Sequence, residues 1–97
     1  MKVVWTPRAQ RRLRQIHDYI ALDQPQNAVT WIERLLNRGE QIADQPRSGR
    51  VVPEYQLDTI REVFEGAYRI IYRVRAHQID VLTIRHGAQP LPGQNRL

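Results

Sequence analysis

The segment between residues 59 and 86 sets arginines into strand-forming sequence, and this pattern limits the possible folds more than any other feature. Isoleucine, valine, tyrosine and phenylalanine dominate the stretches IREVFEGAYRIIYRV and IDVLTIRHG, and these residues favour β-strands. A guanidinium held on a strand suits recognition of phosphate or carboxylate, although a strand arginine that faces water can equally have no partner. The arginines concerned are Arg61, Arg69, Arg73, Arg75 and Arg85.

The strands predicted in this half of the chain form an antiparallel meander. They cover residues 51–52, 59–65, 68–75 and 78–85, and their short connections suit hairpins. Because side chains alternate between faces along a strand, Tyr68 and Tyr72 are predicted to point into the core. The opposite face combines basic and apolar side chains and is therefore interpreted as a protein-binding surface. Its members are Arg69, Ile71, Arg73 and Arg75.

The first half of the chain predicts a short strand over residues 2–5 and two helices. Thr6 and Pro7 are typical of a helix start, and Pro25 breaks the helical pattern before a second helix over about residues 25–43. Gly39 costs this second helix about 1 kcal/mol relative to alanine and indicates close packing. The predicted fold is therefore α+β, with an N-terminal strand and an antiparallel helical hairpin packed on a twisted, mainly antiparallel sheet.

Composition limits the remaining possibilities. The 97 residues fit one domain, 1–97, with an extended or mobile tail over about residues 86–97. There is no cysteine, no metal-like histidine spacing and no glycine-rich phosphate loop, so we expect no metal and no cofactor. No apolar run approaches the length of a membrane span, and a cytoplasmic protein is predicted. The net charge of +5 favours acidic partners.

Five segments in this order resemble the RelE/ParE superfamily of toxins from bacterial type II toxin–antitoxin modules, and most closely its ParE-like branch. They are WTPRAQRRLRQIHDYIA, QPQNAVTWIERL, QPRSGR, IREVFEGAYRIIYRV and VLTIRHG. The resemblance implies a helical hairpin on an antiparallel sheet and a cognate antitoxin, encoded nearby, that forms a hetero-oligomer with the toxin. Within this superfamily, RelE-like members cleave messenger RNA on the ribosome, whereas ParE-like members poison DNA gyrase.

The RelE-like activity predicts a specific set of catalytic residues. Arg69 matches the arginine that RelE-like nucleases place on this strand to stabilise the phosphate, but Ile60 and Glu62 stand where those nucleases have lysines. Glu62 and His86 could supply a base and an acid, since imidazole titrates near neutral pH. His86 could equally be a strand-end residue bonded to a neighbouring loop. The candidate catalytic set is Arg69, Arg85, His86 and Glu62.

The function predicted from the sequence is therefore a ParE-like toxin that arrests growth by inhibiting gyrase. The alternative is a RelE-like, ribosome-dependent endoribonuclease. A third hypothesis is a family member that binds its antitoxin without poisoning a target. Whether the chain is an enzyme is therefore left open. Trp5 and Trp31 are predicted to be core residues, whereas Tyr55 could contact a partner. The residues predicted to bind a partner are Arg61, Arg69, Ile71, Arg73, Arg75 and, on the basic first helix, Arg12.

Overall fold

Two helices pack on a five-stranded mixed sheet in the computed structural model, which describes all 97 residues. The sheet has the order β1-β5-β4-β3-β2, in which β1 runs parallel to β5 and the other neighbours are antiparallel. The predicted α+β fold is thus confirmed, with the N-terminal strand at one edge. The elements are β1 (Lys2–Trp5), α1 (Pro7–Ala21), α2 (Pro25–Gln41), β2 (Arg50–Val51), β3 (Ile60–Glu65), β4 (Tyr68–Val74), β5 (Gln78–His86) and a 3-10 turn, Gln94–Arg96.

Thr6 fixes the junction between β1 and α1. Its side chain accepts a hydrogen bond from the Ala9 amide at 3.2 Å, which caps the helix. The same hydroxyl donates to the Val81 carbonyl at 2.8 Å and so ties the start of α1 to β5. The predicted helix start is therefore also a link to the sheet. Neither helix has the length and apolar character that crossing a membrane requires.

The main core lies between the helical hairpin and one face of the sheet. Tyr72 is fully buried there, and its hydroxyl donates to the Pro46 carbonyl at 2.7 Å and accepts from the Gly49 amide at 3.2 Å. The turn that precedes β2 is therefore anchored to the centre of β4. The members of this core are Ala9, Ile16, Leu35, Ile42, Val63, Ile70, Tyr72, Ile79, Val81 and Ile84.

The opposite face of the sheet carries a second apolar cluster, formed by Val52, Ile60, Ile71 and Leu82. Three residues from outside the sheet pack against it: Tyr55, Leu91 and Leu97. The Tyr55 hydroxyl donates to the Pro92 carbonyl at 2.6 Å. The C-terminal tail, predicted to be extended or mobile, is thus placed against the sheet, and Tyr55 joins it to the loop after β2.

This cluster corrects the prediction that residues 69–75 present an open basic and apolar face. Ile71 is fully buried and Arg69 is only 7 % exposed. Alternation along β4 places both on the predicted face, but the tail and the loop after β2 cover that face around them. Whether they contact a partner stays a prediction, and Ile71 could do so only if this covering moved.

Gly39 allows α2 to approach β1 closely. A Cβ atom at this position would lie 2.6 Å from Cη2 of the Trp5 ring, inside van der Waals contact. The same indole donates from Nε1 to Glu40 Oε1 at 3.1 Å, so the ring is held in place. The helix therefore tolerates the poor propensity of glycine because an indole occupies the space of its missing side chain.

We predict that Gly39→Ala destabilises the protein although alanine is the better helix former. The gain in propensity is about 1 kcal/mol, whereas overpacking against a fixed ring costs roughly 1 to 3 kcal/mol. Urea unfolding should give a net loss, and Asn37→Ala at an exposed position of the same helix should be neutral or slightly stabilising. A Gly39→Ala protein more stable than the wild type would contradict the packing described.

Candidate functional site

An ion-pair network surrounds Arg69 on the face of the sheet opposite the helices. Arg69 Nε donates to Glu62 Oε1 at 2.6 Å, and its two terminal nitrogens donate to the Glu54 carboxylate at 2.8 and 2.9 Å. Arg50 Nε donates to the other oxygen of Glu62, also at 2.6 Å. We call these four residues, Arg50, Glu54, Glu62 and Arg69, the arginine network. Two carboxylates thus hold the guanidinium of Arg69 in fixed geometry.

The two ends of the arginine network differ in exposure. The Glu62 side chain is 0 % exposed and that of Arg69 is 8 %, whereas the Glu54 side chain is 44 % exposed. The hydrogen bond from Arg69 lowers the pKa of the Glu54 carboxyl, and the bonds to Glu54 and then Glu62 raise the pKa of Arg69. Glu54 and Arg69 are therefore held in their charged forms. Arg69 lies inside the fold together with Glu62, whereas Glu54 lies at its surface.

This bonding limits what Arg69 can do chemically. Its Nε and both terminal nitrogens already donate to carboxylates. A phosphate could bind in the same bidentate way only by displacing Glu54 or Glu62. Glu62 in turn is bonded through both oxygens to arginines, so it is not a free base.

The other strand arginines are mostly bonded within the protein. Arg61 donates to the Asp58 carboxylate at 2.7 Å and to the Gly49 carbonyl at 2.9 Å, which braces the loop before β3. Arg75 pairs with Asp80 at 2.8 Å. Arg61 and Arg75 thus have acidic neighbours within the chain, and their predicted contacts with a partner stay predictions.

Arg73 and Arg85 differ from these residues because neither forms an ion pair. Arg73 is half-buried. The Nε of Arg85 is buried without a hydrogen-bond partner, as is the Thr83 hydroxyl two residues before it. Arg85 lies directly opposite Arg69 in the register of β4 and β5, so a second arginine stands beside the network without a carboxylate of its own.

His86 lies on the other face of the sheet from Arg69. The register between β4 and β5 skips Leu82, because Ile71 is opposite Thr83 while Tyr72 is opposite Val81. Such a bulge reverses the alternation beyond it. His86 therefore stands opposite Tyr68 on the helical face, and their rings meet edge to face at 5.2 Å between centroids.

A cleft of 540 Å³ opens between α1 and the ends of β4 and β5. Arg12, Tyr19, Tyr68 and His86 line it together with Gln15, Ile16 and Gln89. Its volume lies within the range of small-ligand sites. A cation, two phenols and an imidazole thus share one concave surface, and two predicted residues, Arg12 and His86, are brought together there.

Arg12 is bonded to the protein on all sides of its guanidinium. Nε donates to the Ile84 carbonyl at 2.9 Å, and the terminal nitrogens donate to Gln15 at 2.9 Å and Gln89 at 3.3 Å. Burial, followed by repulsion from Arg85, lowers the pKa of Arg12. Burial raises the pKa of Tyr68, so its phenol stays protonated at neutral pH. Arg12 therefore ties α1 to β5 and to Gln89 at the wall of the cleft, and it also supplies the positive charge of the cleft.

The predicted catalytic set is divided by the sheet. Arg69, Glu62 and Arg85 belong to one face and His86 to the other, so the structure corrects the expectation that they act together. Sequence reasoning treated Tyr68 as core and did not single out Glu54. Glu54 carries no local signal, because its partner Arg69 is 15 residues away in sequence.

The arginine network yields a prediction about stability. Glu62→Ala leaves Arg69 with one exposed partner and a buried charge, and breaking a buried ion pair costs roughly 3 to 5 kcal/mol. Glu54→Ala removes two hydrogen bonds from the same arginine, but water can reach the half-exposed Glu54 position, so the cost should be smaller, about 1 to 3 kcal/mol. Urea unfolding of the two variants measures the difference in their free energies of unfolding. Equal losses would show that the buried carboxylate stabilises the fold no more than the exposed one.

The sequence as a whole matches known proteins over nearly its full length. The family model described as the ParE toxin of the type II toxin–antitoxin system parDE matches residues 3–91. A protein of Sinorhizobium fredii named "Putative toxin Y4kP" is 32 % identical over 93 residues, which cover 94 % of this chain and 93 % of that protein. Toxin RelE2 of Caulobacter vibrioides is 35 % identical over 89 residues, covering 91 % and 97 %.

Solved structures show the same fold. The chromosomal ParDE toxin–antitoxin system from P. aeruginosa contains a chain with a TM-score of 0.78 at 19 % identity, covering 90 % of this chain and 96 % of that one. A chain of the toxin–antitoxin complex RelBE2 from Mycobacterium tuberculosis has a TM-score of 0.61 at 19 % identity, covering 88 % and 95 %. The chain belongs to the ParE toxin family, within the RelE/ParE superfamily of type II toxin–antitoxin toxins.

Proposed function

We propose that this toxin arrests growth by binding DNA gyrase, is neutralised by an antitoxin, and does not cleave RNA. One observation favours this proposal over the nuclease alternative: the sheet separates His86 from Arg69, and Arg69 is bonded to two carboxylates. The residues that the nuclease alternative requires therefore do not form one site.

The chemistry of RNA cleavage explains why this separation matters. Metal-independent cleavage needs a base for the 2′-hydroxyl, a cation at the scissile phosphate and an acid for the leaving oxygen, all around one phosphate. Around Arg69 the base candidate, Glu62, is bonded to two arginines. Around His86 the cation, Arg12, is bonded to Ile84, Gln15 and Gln89. Neither face assembles the three functions with free groups.

Similarity alone does not choose the target. The ParDE system and the RelBE2 complex share this fold, and one relative is named RelE2. Function therefore has to be argued from the residues of the site rather than from the fold. A binding function needs only an accessible surface, whereas catalysis needs the assembled groups that the structure separates.

The antitoxin is proposed to contact the tip of the helical hairpin. Both ParDE and RelBE2 are described as toxin–antitoxin assemblies. Tyr19 is 78 % exposed, Leu22 81 % and Val29 47 %, which groups apolar side chains at the end of α1 and the start of α2. Exposed apolar clusters of this kind mark protein-binding surfaces.

Two assays run side by side test the proposed target. The purified protein should inhibit supercoiling by gyrase and leave ribosome-bound messenger RNA intact, and adding the antitoxin should restore supercoiling. Cuts in the RNA that disappear in His86→Ala and Tyr68→Phe, with supercoiling unaffected, would refute the proposal and assign the chemistry to the cleft.

The hairpin tip gives a second prediction. Leu22→Ser removes an exposed side chain that the fold does not need, and loss of its burial in the complex should weaken antitoxin binding by about 1 to 3 kcal/mol. Isothermal titration with the antitoxin measures the change.

Phe64→Ser is the matched control for Leu22→Ser, because Phe64 is an apolar residue 46 % exposed on the face of the arginine network. Its substitution should leave the affinity for the antitoxin nearly unchanged. The reverse pattern, in which only Phe64→Ser weakens binding, would place the antitoxin on that face instead.

A further inference from the structure

The net charge of the chain comes entirely from its first 14 residues. This segment contains Lys2, Arg8, Arg11, Arg12 and Arg14 and no acidic residue. The other ten basic residues are matched by ten acidic ones. The charge of +5 is therefore a local property of β1 and the first half of α1.

The folded structure keeps this segregation. Every arginine–carboxylate ion pair joins residues between positions 34 and 80. None of the arginines on α1 has an acidic partner. The arginines of this helix are thus without the carboxylate partners that hold Arg34, Arg47, Arg50, Arg61, Arg69 and Arg75.

Three of these arginines form one outward row. Arg8, Arg11 and Arg14 follow at intervals of three residues, so on a helix they lie roughly 4.5 Å apart along the axis. Arg11 and Arg14 face away from Ala9 and Ile16, which are buried against the core, and Arg8 lies at the side of the helix. Arg11 and Arg14 are exposed and Arg8 is partly exposed. We call these three residues the α1 arginine row.

Two further arginines, Arg12 on α1 and Arg85 on β5, lie near each other, but Arg85 projects from the sheet face opposite the helices. Arg12 is bonded to the Ile84 carbonyl, and after burial, repulsion from Arg85 is the main cause that lowers its pKa. Arg85 itself keeps a buried Nε without a hydrogen-bond partner. Arg12 is already bonded to the Ile84 carbonyl, Gln15 and Gln89, so the cations that remain open to an external anion on α1 are those of the row.

We propose that the α1 arginine row binds the phosphate backbone of duplex DNA. Binding of this kind is driven by the release of counterions and requires no apolar contact. The choice of DNA over duplex RNA rests on the proposed function, since gyrase acts on DNA.

The composition of the row argues against two other polyanions. No aromatic side chain lies among the three arginines, and single-stranded nucleic acids are held by stacking on aromatic rings. The exposed apolar residues of α1, Tyr19 and Leu22, lie beyond the row. An acidic protein segment would gain little apolar burial there, and we assign such a partner to the hairpin tip.

Fluorescence anisotropy with a 20-base-pair duplex, measured from low to physiological salt, tests the assignment. For three phosphate contacts, the slope of the logarithm of the association constant against the logarithm of the salt concentration should be about −3. The double variant Arg11→Gln/Arg14→Gln should bind more weakly and have a slope of about −1. Arg47→Gln/Arg75→Gln removes the same charge from ion-paired positions and should leave the slope unchanged. Circular dichroism confirms that each variant is folded.

Three outcomes would overturn the proposal. They are no binding at low salt, equal slopes for the two double variants, and tighter binding of polyglutamate, single-stranded DNA or duplex RNA than of duplex DNA. Gyrase is absent from this experiment, so failure here is distinguishable from failure of the supercoiling test. A protein that inhibits gyrase but does not bind DNA would keep the proposed function and lose this inference.

Discussion

The ion pair between Glu62 and Arg69 is the interaction on which the second face of the sheet depends. The two residues are diagonal neighbours on β3 and β4, because Glu62 pairs with Ile71 and Phe64 with Arg69. Through Glu54 and Arg50, the pair also reaches the loop after β2 and β2 itself. A charge buried this deeply is tolerated only with its partners in place, so the network fixes the loop that, with the tail, covers Ile71.

The bulge at Leu82 gives the two faces their different chemistry. Before it, Ile79 and Val81 face the helices; beyond it, Ile84 also faces them, although two-residue alternation would turn it away. The same reversal moves His86 into the cleft beside Tyr68 and leaves Arg85 opposite Arg69. One extra residue in β5 therefore places the His86 imidazole on the opposite face of the sheet from Arg69 and Arg85, so these three side chains do not surround one phosphate.

The paired and the unpaired arginines lie in different parts of the fold. Acidic residues pair with five arginines of the sheet and its loops, Arg47, Arg50, Arg61, Arg69 and Arg75. In contrast, α1 keeps its arginines unpaired and the hairpin tip keeps apolar side chains exposed. We infer that the helical half presents two surfaces, a basic one for a nucleic acid and an apolar one for a protein. Binding at both does not require any residue of the buried network to move.

The sequence by itself determined the order of the elements, the helical hairpin, the residues of β4 that share a face and the family. These follow from periodicity, from Thr6 and Pro25, and from motif order, which are local properties of the chain. The tertiary structure alone decided what covers the face that Arg69 shares with Ile71, which carboxylates hold Arg69, and where His86 points. Those outcomes depend on a bulge and on contacts between residues distant in sequence, such as Tyr55 with Pro92. The local pattern of residues along the chain predicts neither of them.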